Sequence, residues 1–421
     1  MEESDLITAQ RLDAVDDLSG FRDEFLITDP DLIYLDGNSL GRQPRSTANR
    51  MRTVIEEEWG SSLIRGWNAG WYEATRRIGG KIASIIGAEP SDVVVADSTS
   101  VNLYKLVMAA LMLNPDRPRI ISDSLNFPSD LYILQGCTDL LKDDHDLVIL
   151  PSSDGIIIEP AVIIDAIDER TALVVLSHVA YKSGYLINVE PIIIAAHQAG
   201  ALVLLDLSHS VGVVPIQLEA WGVDMAVGCT YKYLNGGPGS PAFLYIHRNI
   251  QERVRSPIWG WFGHQSPFQF DLDYDPAEGI RRFLVGTPPI ISLLALEPAL
   301  DIIVKASIDR IRIKSVLLTT FMIELFDSIL EPLGFELGTP RESERRGSHV
   351  SIKHPEGYRI NRALIEEMNV LPDFREPDNI RLGLSPLYTS FTDVWNAMER
   401  IRKVVEEERY LKYSVIRDPV T

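Results

Sequence analysis

Apolar residues along the 421-residue chain gather into short β-branched runs that alternate with stretches of helical spacing. VVVAD, RIISD, LVILP, LVVLSHV, ALVLLDLSH and DMAVGCT read as strands. Several are apolar at consecutive positions, which buries both faces and suits a mainly parallel sheet covered by helices. The spacing predicts the interleaved helices over 99–112, 128–135, 160–169 and 189–199. Upstream, 45–59 and 72–86 also have helical spacing, separated by the tryptophan-rich SSLIRGWNAGW. The first forty residues are polar and read as an arm, a short helix and an extended piece at Leu32–Leu35. Residues 251–290, rich in Trp, Phe, Gly and Pro, have little periodicity and read as loop wrapped around a site. PPIISLLALEPAL then opens one long helix near 290–327, followed by short strands at HVSIKH and NIRLGLS and a charged helix at 391–410. The expected division is an N-terminal segment contributing to a small domain (1–60), a large α/β domain (61–290) and a smaller C-terminal α+β domain (291–421).

Composition narrows this picture only a little. With 45% hydrophobic and 24% charged residues the chain is ordinary for a globular protein. A formal charge of −20 disfavours non-specific binding to nucleic acid or to an anionic membrane. The start, MEESDLITAQ, lacks the basic and apolar regions of a secretory signal. The most apolar stretch, IIIAAHQAGALVLLDL, is broken by His197, Gln198 and Gly200, so it reads as helix end, turn and buried strand and not as a membrane span. Cys137 and Cys229 are the only cysteines and form no CxxC, which argues against a disulfide framework and for a reducing cytoplasm.

Three features carry candidate chemistry. LLDLSHS puts Asp206 and His209 at the C-terminal end of a strongly apolar strand, where open α/β sheets bind ligands. GCTYKYLNGGPG puts Tyr231 and Lys232 where the next strand gives way to a glycine-rich loop, and a lysine amine in a crevice forms imines. ADSTSVNLYKL ends a strand at Asp97 and places Ser98, Thr99 and Ser100 at a helix start, an arrangement suited to an anion such as phosphate. Each alone has a plainer structural account: an aspartate capping a turn, a solvent-facing lysine, ordinary N-capping. No GxxxxGK or strand-linked GxGxxG accompanies them, so nucleotide readings are weak. Together, an anion site, a strand-end acid and a strand-end lysine on one sheet fit pyridoxal phosphate, with Phe127 in LNFPSD placed to stack on the ring and Asp130 close behind. Spacing leaves the reaction open.

The stretches LDGNSLG, DSTSVNL, LNFPSD, LSHVAYKSG, LDLSHSVG, YKYLNGGPG, WGWFGHQ, GTPP and IRLGLSPLY, in this order, give the chain a resemblance to the kynureninase family over essentially its full length. That resemblance implies a fold-type-I pyridoxal phosphate enzyme, with a mainly parallel seven-stranded sheet in the large domain. It implies hydrolytic Cβ–Cγ cleavage of L-kynurenine, or of 3-hydroxy-L-kynurenine, to the anthranilate and L-alanine, with no metal. Lys232 then matches the lysine that holds the cofactor aldehyde, Asp206 the partner of the pyridine nitrogen, and Phe127 the stacking ring. Thr99, Ser100, Asp130, His209 and Tyr231 match the set around ring and phosphate, Tyr231 also serving in proton delivery. Trp259 and Thr287 match residues that reach cofactor and substrate from the other subunit of a homodimer, and the threonine resembles the bacterial type that favours plain kynurenine. Arg381 matches the arginine that takes the substrate α-carboxylate, and Trp67 occupies a region lining the aryl pocket. Cysteine desulfurases and aminotransferases share LDLSHS-like strand ends. A desulfurase needs a mobile nucleophilic cysteine in a C-terminal loop, and residues 230–421 contain none. An aminotransferase shares the early chemistry and differs by amine exchange with a keto acid. A non-enzymatic α/β binding module would take up no pyridoxal phosphate.

Overall fold

Strand β1 (Ile33–Tyr34) comes first, followed by the seven strands of a central sheet: β2 (Val93–Val95), β3 (Arg119–Asp123), β4 (Asp146–Leu150), β5 (Thr171–Ser177), β6 (Leu202–Asp206), β7 (Met225–Gly228) and β8 (Phe243–Ile246). These come from a computed structural model that describes residues 2–141 and 145–416. The sheet order is β2-β8-β7-β6-β5-β3-β4, and β8 alone runs against the other six. Side chains alternate between two cores. Val203 and Leu205 of β6 join one, with the helices Ala74–Ile85, Glu190–Ala199 and Ile290–Ala306. Leu204 joins the other, beneath Thr99–Leu113 and Pro128–Leu141. Burial on both sides is the reason the strands read as unbroken apolar text.

A third core belongs to the C-terminal region. Strands β9 (Glu336–Leu337), β10 (His349–Lys353), β12 (Asp373–Arg375) and β13 (Asn379–Gly383) form an antiparallel sheet in the order β12-β13-β10-β9. Strand β11 (Val370–Leu371) pairs in parallel with β1, which brings Ile33 and Leu35 of the N-terminal segment into this core. Val350, Ile352, Phe374, Ile380 and Leu382 face the core, leaving His349, Ser351, Asp373, Arg375 and Arg381 on the opposite face.

The expected helix near 290–327 is two helices, Ile290–Ala306 and Ile308–Leu325. Ser307 breaks it with φ at +71°. Serine carries no signal for a left-handed conformation, and the apolar spacing continues through the break because both helices bury that face. The helix expected over 128–135 continues to Leu141. Strand β8 was hidden because AFLYI directly follows a glycine- and proline-rich loop and is only four residues long. Among the described residues no helix is long and apolar enough to cross a membrane.

Leu205 is fully buried one residue before Asp206. Leu205→Ala is expected to lower the unfolding free energy by about 2–5 kcal/mol through lost burial and a residual cavity. Urea unfolding of both proteins, with an unchanged dependence on denaturant, checks this.

Candidate active site

Strand register decides which side chains meet. Asp206 ends β6, opposite Ser177 of β5 and Val227 of β7, and shares the sheet face of Leu204. The helices covering that face start at Thr99 and Pro128, so their first turns bring Thr99, Ser100 and Asp130 to the same strand ends. After β7, Cys229 and Thr230 lead into Tyr231 and Lys232. A cavity of about 460 Å³ results, walled by Thr99, Ser100, Phe127, Asp130, Asp206, His209, Tyr231 and Lys232. All eight were singled out in the sequence.

Local contacts hold each group in place. Asp206 Oδ1 accepts from the Ser208 backbone N–H at 2.8 Å and from its hydroxyl at 2.6 Å. Lys232 Nζ lies 2.8 Å from His209 Nε2 and 5.7 Å from the Phe127 ring centroid. Thr230 Oγ1 donates to the carbonyl of Pro241 at 2.6 Å and sits 2.6 Å from Ser240 Oγ, closing the glycine-rich loop back on the lysine segment. Gly236 is needed there, since a Cβ would lie 2.6 Å from Ser240 Oγ and 2.9 Å from the Thr230 carbonyl. At the anion end, Ser98 caps its helix by accepting from Val101 N–H at 3.3 Å. The preceding turn is fixed by buried Lys105, which donates to Asp97 at 2.7 Å and to the Phe283 carbonyl at 2.8 Å.

Charge is uneven in the cavity. Burial and the neighbouring Asp206 carboxylate push the Asp130 carboxyl well above its usual range. Its Oδ2 is buried without a hydrogen-bond partner. Burial, with Lys232 and His349 nearby, holds His209 far below the usual imidazole pKa, so it is neutral and offers Lys232 an acceptor. Burial also raises the Tyr231 phenol.

The remaining expected site residues lie off this wall. Arg381 is 2% exposed and gives Nε and Nη2 to Asp373, Nη2 also to Ser39 Oγ at 3.1 Å and Nη1 to the Tyr181 carbonyl at 2.5 Å. Tyr181 packs edge-on against Phe127 at 5.2 Å, so Arg381 stands one layer behind the cavity. Trp67 is packed between Trp71 and Phe262, with centroids 5.8 and 5.7 Å away. Trp259 is 64% exposed and stacks on Tyr274 at 4.9 Å, and Thr287 is exposed two residues before cavity-lining Pro289.

Sequence reading assigned no role within LDGNSLG, yet this segment braces the site. The Gly41 N–H donates to the Tyr231 carbonyl at 2.8 Å, and a Cβ there would lie 2.4 Å from the Lys232 carbonyl. Buried Asn38 fills the space a side chain on Gly383 would need, two residues from Arg381. Asp36 lies beside Asp373 and Arg381, and burial and Asp373 raise its pKa to about 7.

Over residues 311–401 the chain matches the family described as the kynureninase C-terminal domain. It is 43% identical over 404 residues to a kynureninase of Pseudomonas fluorescens, covering 95% of each chain. The chain belongs to the kynureninase family. A kynureninase of Burkholderia mallei (strain SAVP1) is likewise 43% identical, over 96% of each chain. Among solved structures, the apo cysteine desulfurase from Thermococcus onnurineus NA1 superposes with a TM-score of 0.78 at 19% identity, over 92% of this chain and 98% of that one. A cysteine desulfurase from Escherichia coli gives 0.77 at 17%, over 94% and 99%. These two establish the shared fold; the kynureninase relatives establish the family.

Asp36 supplies a pH test of the brace. Its folded pKa lies above the usual aspartate value of about 3.9, so the folded state binds the proton more tightly and stability falls as pH rises through the window up to about 7. Asp36→Asn removes this loss. Thermal melts across the window should show the variant gaining on the parent as pH rises; parallel curves would contradict the assignment.

Proposed function

We propose that this chain binds pyridoxal phosphate in the 460 Å³ cavity and hydrolyses the Cβ–Cγ bond of L-kynurenine, giving anthranilate and L-alanine. Near-full-length identity to kynureninases is the observation that carries the reading. The residues fit the cofactor chemically. The partnerless Asp130 oxygen and the Asp206 carboxylate form an acidic wall suited to a protonated ring nitrogen. The hydroxyls of Thr99 and Ser100 and the open N–H groups of their helix suit a phosphate. Phe127 offers a stacking face, and Lys232 an amine for the aldehyde.

Bound there, pyridoxal phosphate supplies an electron sink that makes the substrate α-proton acidic and a β-carbanion tolerable. Lys232 would hold the cofactor through its aldehyde and would move the proton at the substrate α-carbon. Asp206 keeps the ring nitrogen charged, and neutral His209 holds the Lys232 amine through Nε2. Tyr231, its phenol protonated at neutral pH, delivers a proton near the γ-carbonyl, where water adds and the bond to the β-carbon breaks. Arg381 anchors the α-carboxylate from behind Tyr181, and Trp67 lies on the aryl side. Trp259 and Thr287, both exposed on their own subunit, enter the neighbouring site of a homodimer. The two free, buried cysteines suit a reducing cytoplasm.

A desulfurase reaction is disfavoured although the fold is shared. Cys137 and Cys229 are buried, and burial pushes the first thiol up to about 12 and raises the second, so neither is a poised nucleophile.

The test is product analysis by mass spectrometry with pyridoxal phosphate and L-kynurenine or 3-hydroxy-L-kynurenine. Equimolar alanine and anthranilate are expected, with plain kynurenine favoured. Lys232→Ala should lower turnover by about 10²–10⁴-fold or more, since proton transfer and cofactor attachment are both lost. Asp206→Asn should still bind cofactor but with an altered absorption spectrum and slower turnover. Cofactor uptake without aryl product would leave the fold and cofactor standing and reject the reaction; keto-acid-dependent amine exchange would then point to an aminotransferase.

A further inference from the structure

Asp373, Arg375, Ser351 and Arg381 share one face of the small sheet, because Arg381 is the cross-strand partner of both Asp373 and Ser351, and Arg375 follows Asp373 by two positions. The opposite face is sealed in the third core by Phe374, Ile380 and Leu382. This polar face looks toward the cavity: His349, two positions from Ser351, lies 5.5 Å from His209, and Arg381 reaches the Tyr181 carbonyl. Two guanidiniums therefore stand together at the site, and they differ in what they have left to offer.

Arg381 gives most of its N–H groups to protein partners and keeps one on Nη1. Asp373 takes its fork, while Ser39 and the Tyr181 carbonyl take further N–H groups. Arg375 binds the same Asp373 oxygen through Nη2 at 2.8 Å and its neighbour's carbonyl through Nη1 at 2.8 Å, which among the described residues leaves N–H groups over. Its side chain is 36% exposed against 2% for Arg381. The charge count points the same way. Burial opposes ionisation of Asp373, but its hydrogen bonds to Arg381 and both guanidinium charges hold its pKa below the usual range, so it balances one of them. Burial and Asp373 raise the Asp36 carboxyl to about 7, which makes it a weak counter-charge for the second guanidinium. Two guanidiniums thus flank the one carboxylate of Asp373 on a face turned toward the cavity, and Arg375 is near enough for its charge to bear on His209 and Tyr181.

We propose that Arg375 is a second anchor for the substrate α-carboxylate, receiving it together with the Asp373-bound Arg381. The inference rests on the kynureninase reading and deepens it. Arg381 sets the position, held rigid by Asp373; Arg375 supplies exposed N–H groups and a second positive charge. Asp373 is the positioning residue for both.

The experiment titrates holoenzyme, followed by the cofactor absorption, with L-kynurenine and with kynuramine, the same molecule without its carboxylate. Arg375→Gln should weaken kynurenine binding by about 10–100-fold, the range for losing a hydrogen bond to a charged group, and leave kynuramine binding unchanged. In turnover, KM for kynurenine should rise by a similar factor while kcat stays within about threefold. Arg375→Lys, which keeps charge but loses the fork, should fall between parent and Gln variant. Unchanged kynurenine affinity in Arg375→Gln overturns the proposal. So does equal weakening of both ligands, which would mark a purely structural role through Asp373. Should the Gln variant fail to fold, the Lys variant decides by the same comparison of the two ligands. Product formation by the parent enzyme tests the kynurenine reading separately, so failure of one is not mistaken for failure of the other.

Discussion

Two carboxyls, Asp130 and Asp206, are buried side by side at the end of β6, and the rest of the site follows from making that pair tolerable. Like charges in a low-dielectric wall cannot both ionise without a cation between or beside them. Ser208 fixes Asp206 with two hydrogen bonds, while burial and Asp206 together push the Asp130 carboxyl well above its usual range. The alternation of side chains along β6 puts Asp206 on the same sheet face as the helices beginning at Thr99 and Pro128. One strand register thus fixes the acid pair, the anion end and, through the next strand, Lys232. The cost of burying the pair would be offset by a protonated heterocycle, and the proposed cofactor carries one together with an aldehyde for the lysine and a phosphate for the helix start.

That cavity is stiffened from outside the large sheet. The 36–41 segment touches the lysine backbone through Gly41 and the small sheet through Asn38 and Asp36. Both contacts are too close for a larger side chain, and Asp36 pairs with Gly383 as an isolated bridge. The N-terminal segment therefore couples the lysine end of the site to the arginine-bearing sheet. Packing of this kind transmits small displacements, because close-packed interiors resist compression.

Much of this was legible in the sequence. Strands buried on both faces give continuous apolar runs, so β3, β5, β6 and β7 were visible, and with them the strand-end positions of Asp206 and Lys232. The hydroxyl-rich start at Ser98–Ser100 was visible because helix caps have strong residue preferences. Other features leave no local mark. Ser307 breaks a helix in a residue type that gives no warning, and β8 is only four residues long and directly follows a glycine- and proline-rich loop. The engagement of Arg381 by Asp373 depends on a cross-strand register that only the folded sheet reveals. Trp259 and Thr287 are exposed on a single chain, so neither periodicity nor burial could tie them to the cavity.

The desulfurase likeness shows how little the fold alone says about the reaction. At TM-scores of 0.77–0.78 the backbone is shared almost end to end, yet the identity is 17–19%. What is common is the backbone, and a shared backbone hosts different chemistries. What departs is the chemistry brought to the substrate. Here both thiols are buried, burial having raised them away from nucleophilic character, and His349, Asp373 and Arg381 share the small-sheet face turned toward the cavity. A reaction that hydrolyses a carbon–carbon bond needs a held carboxylate, a lysine free to move a proton and a protonated phenol, and it needs no sulfur nucleophile. The proposed carboxylate anchor would meet the first of these needs with two guanidiniums, Arg375 and Arg381, held on one sheet face by a single carboxylate, Asp373.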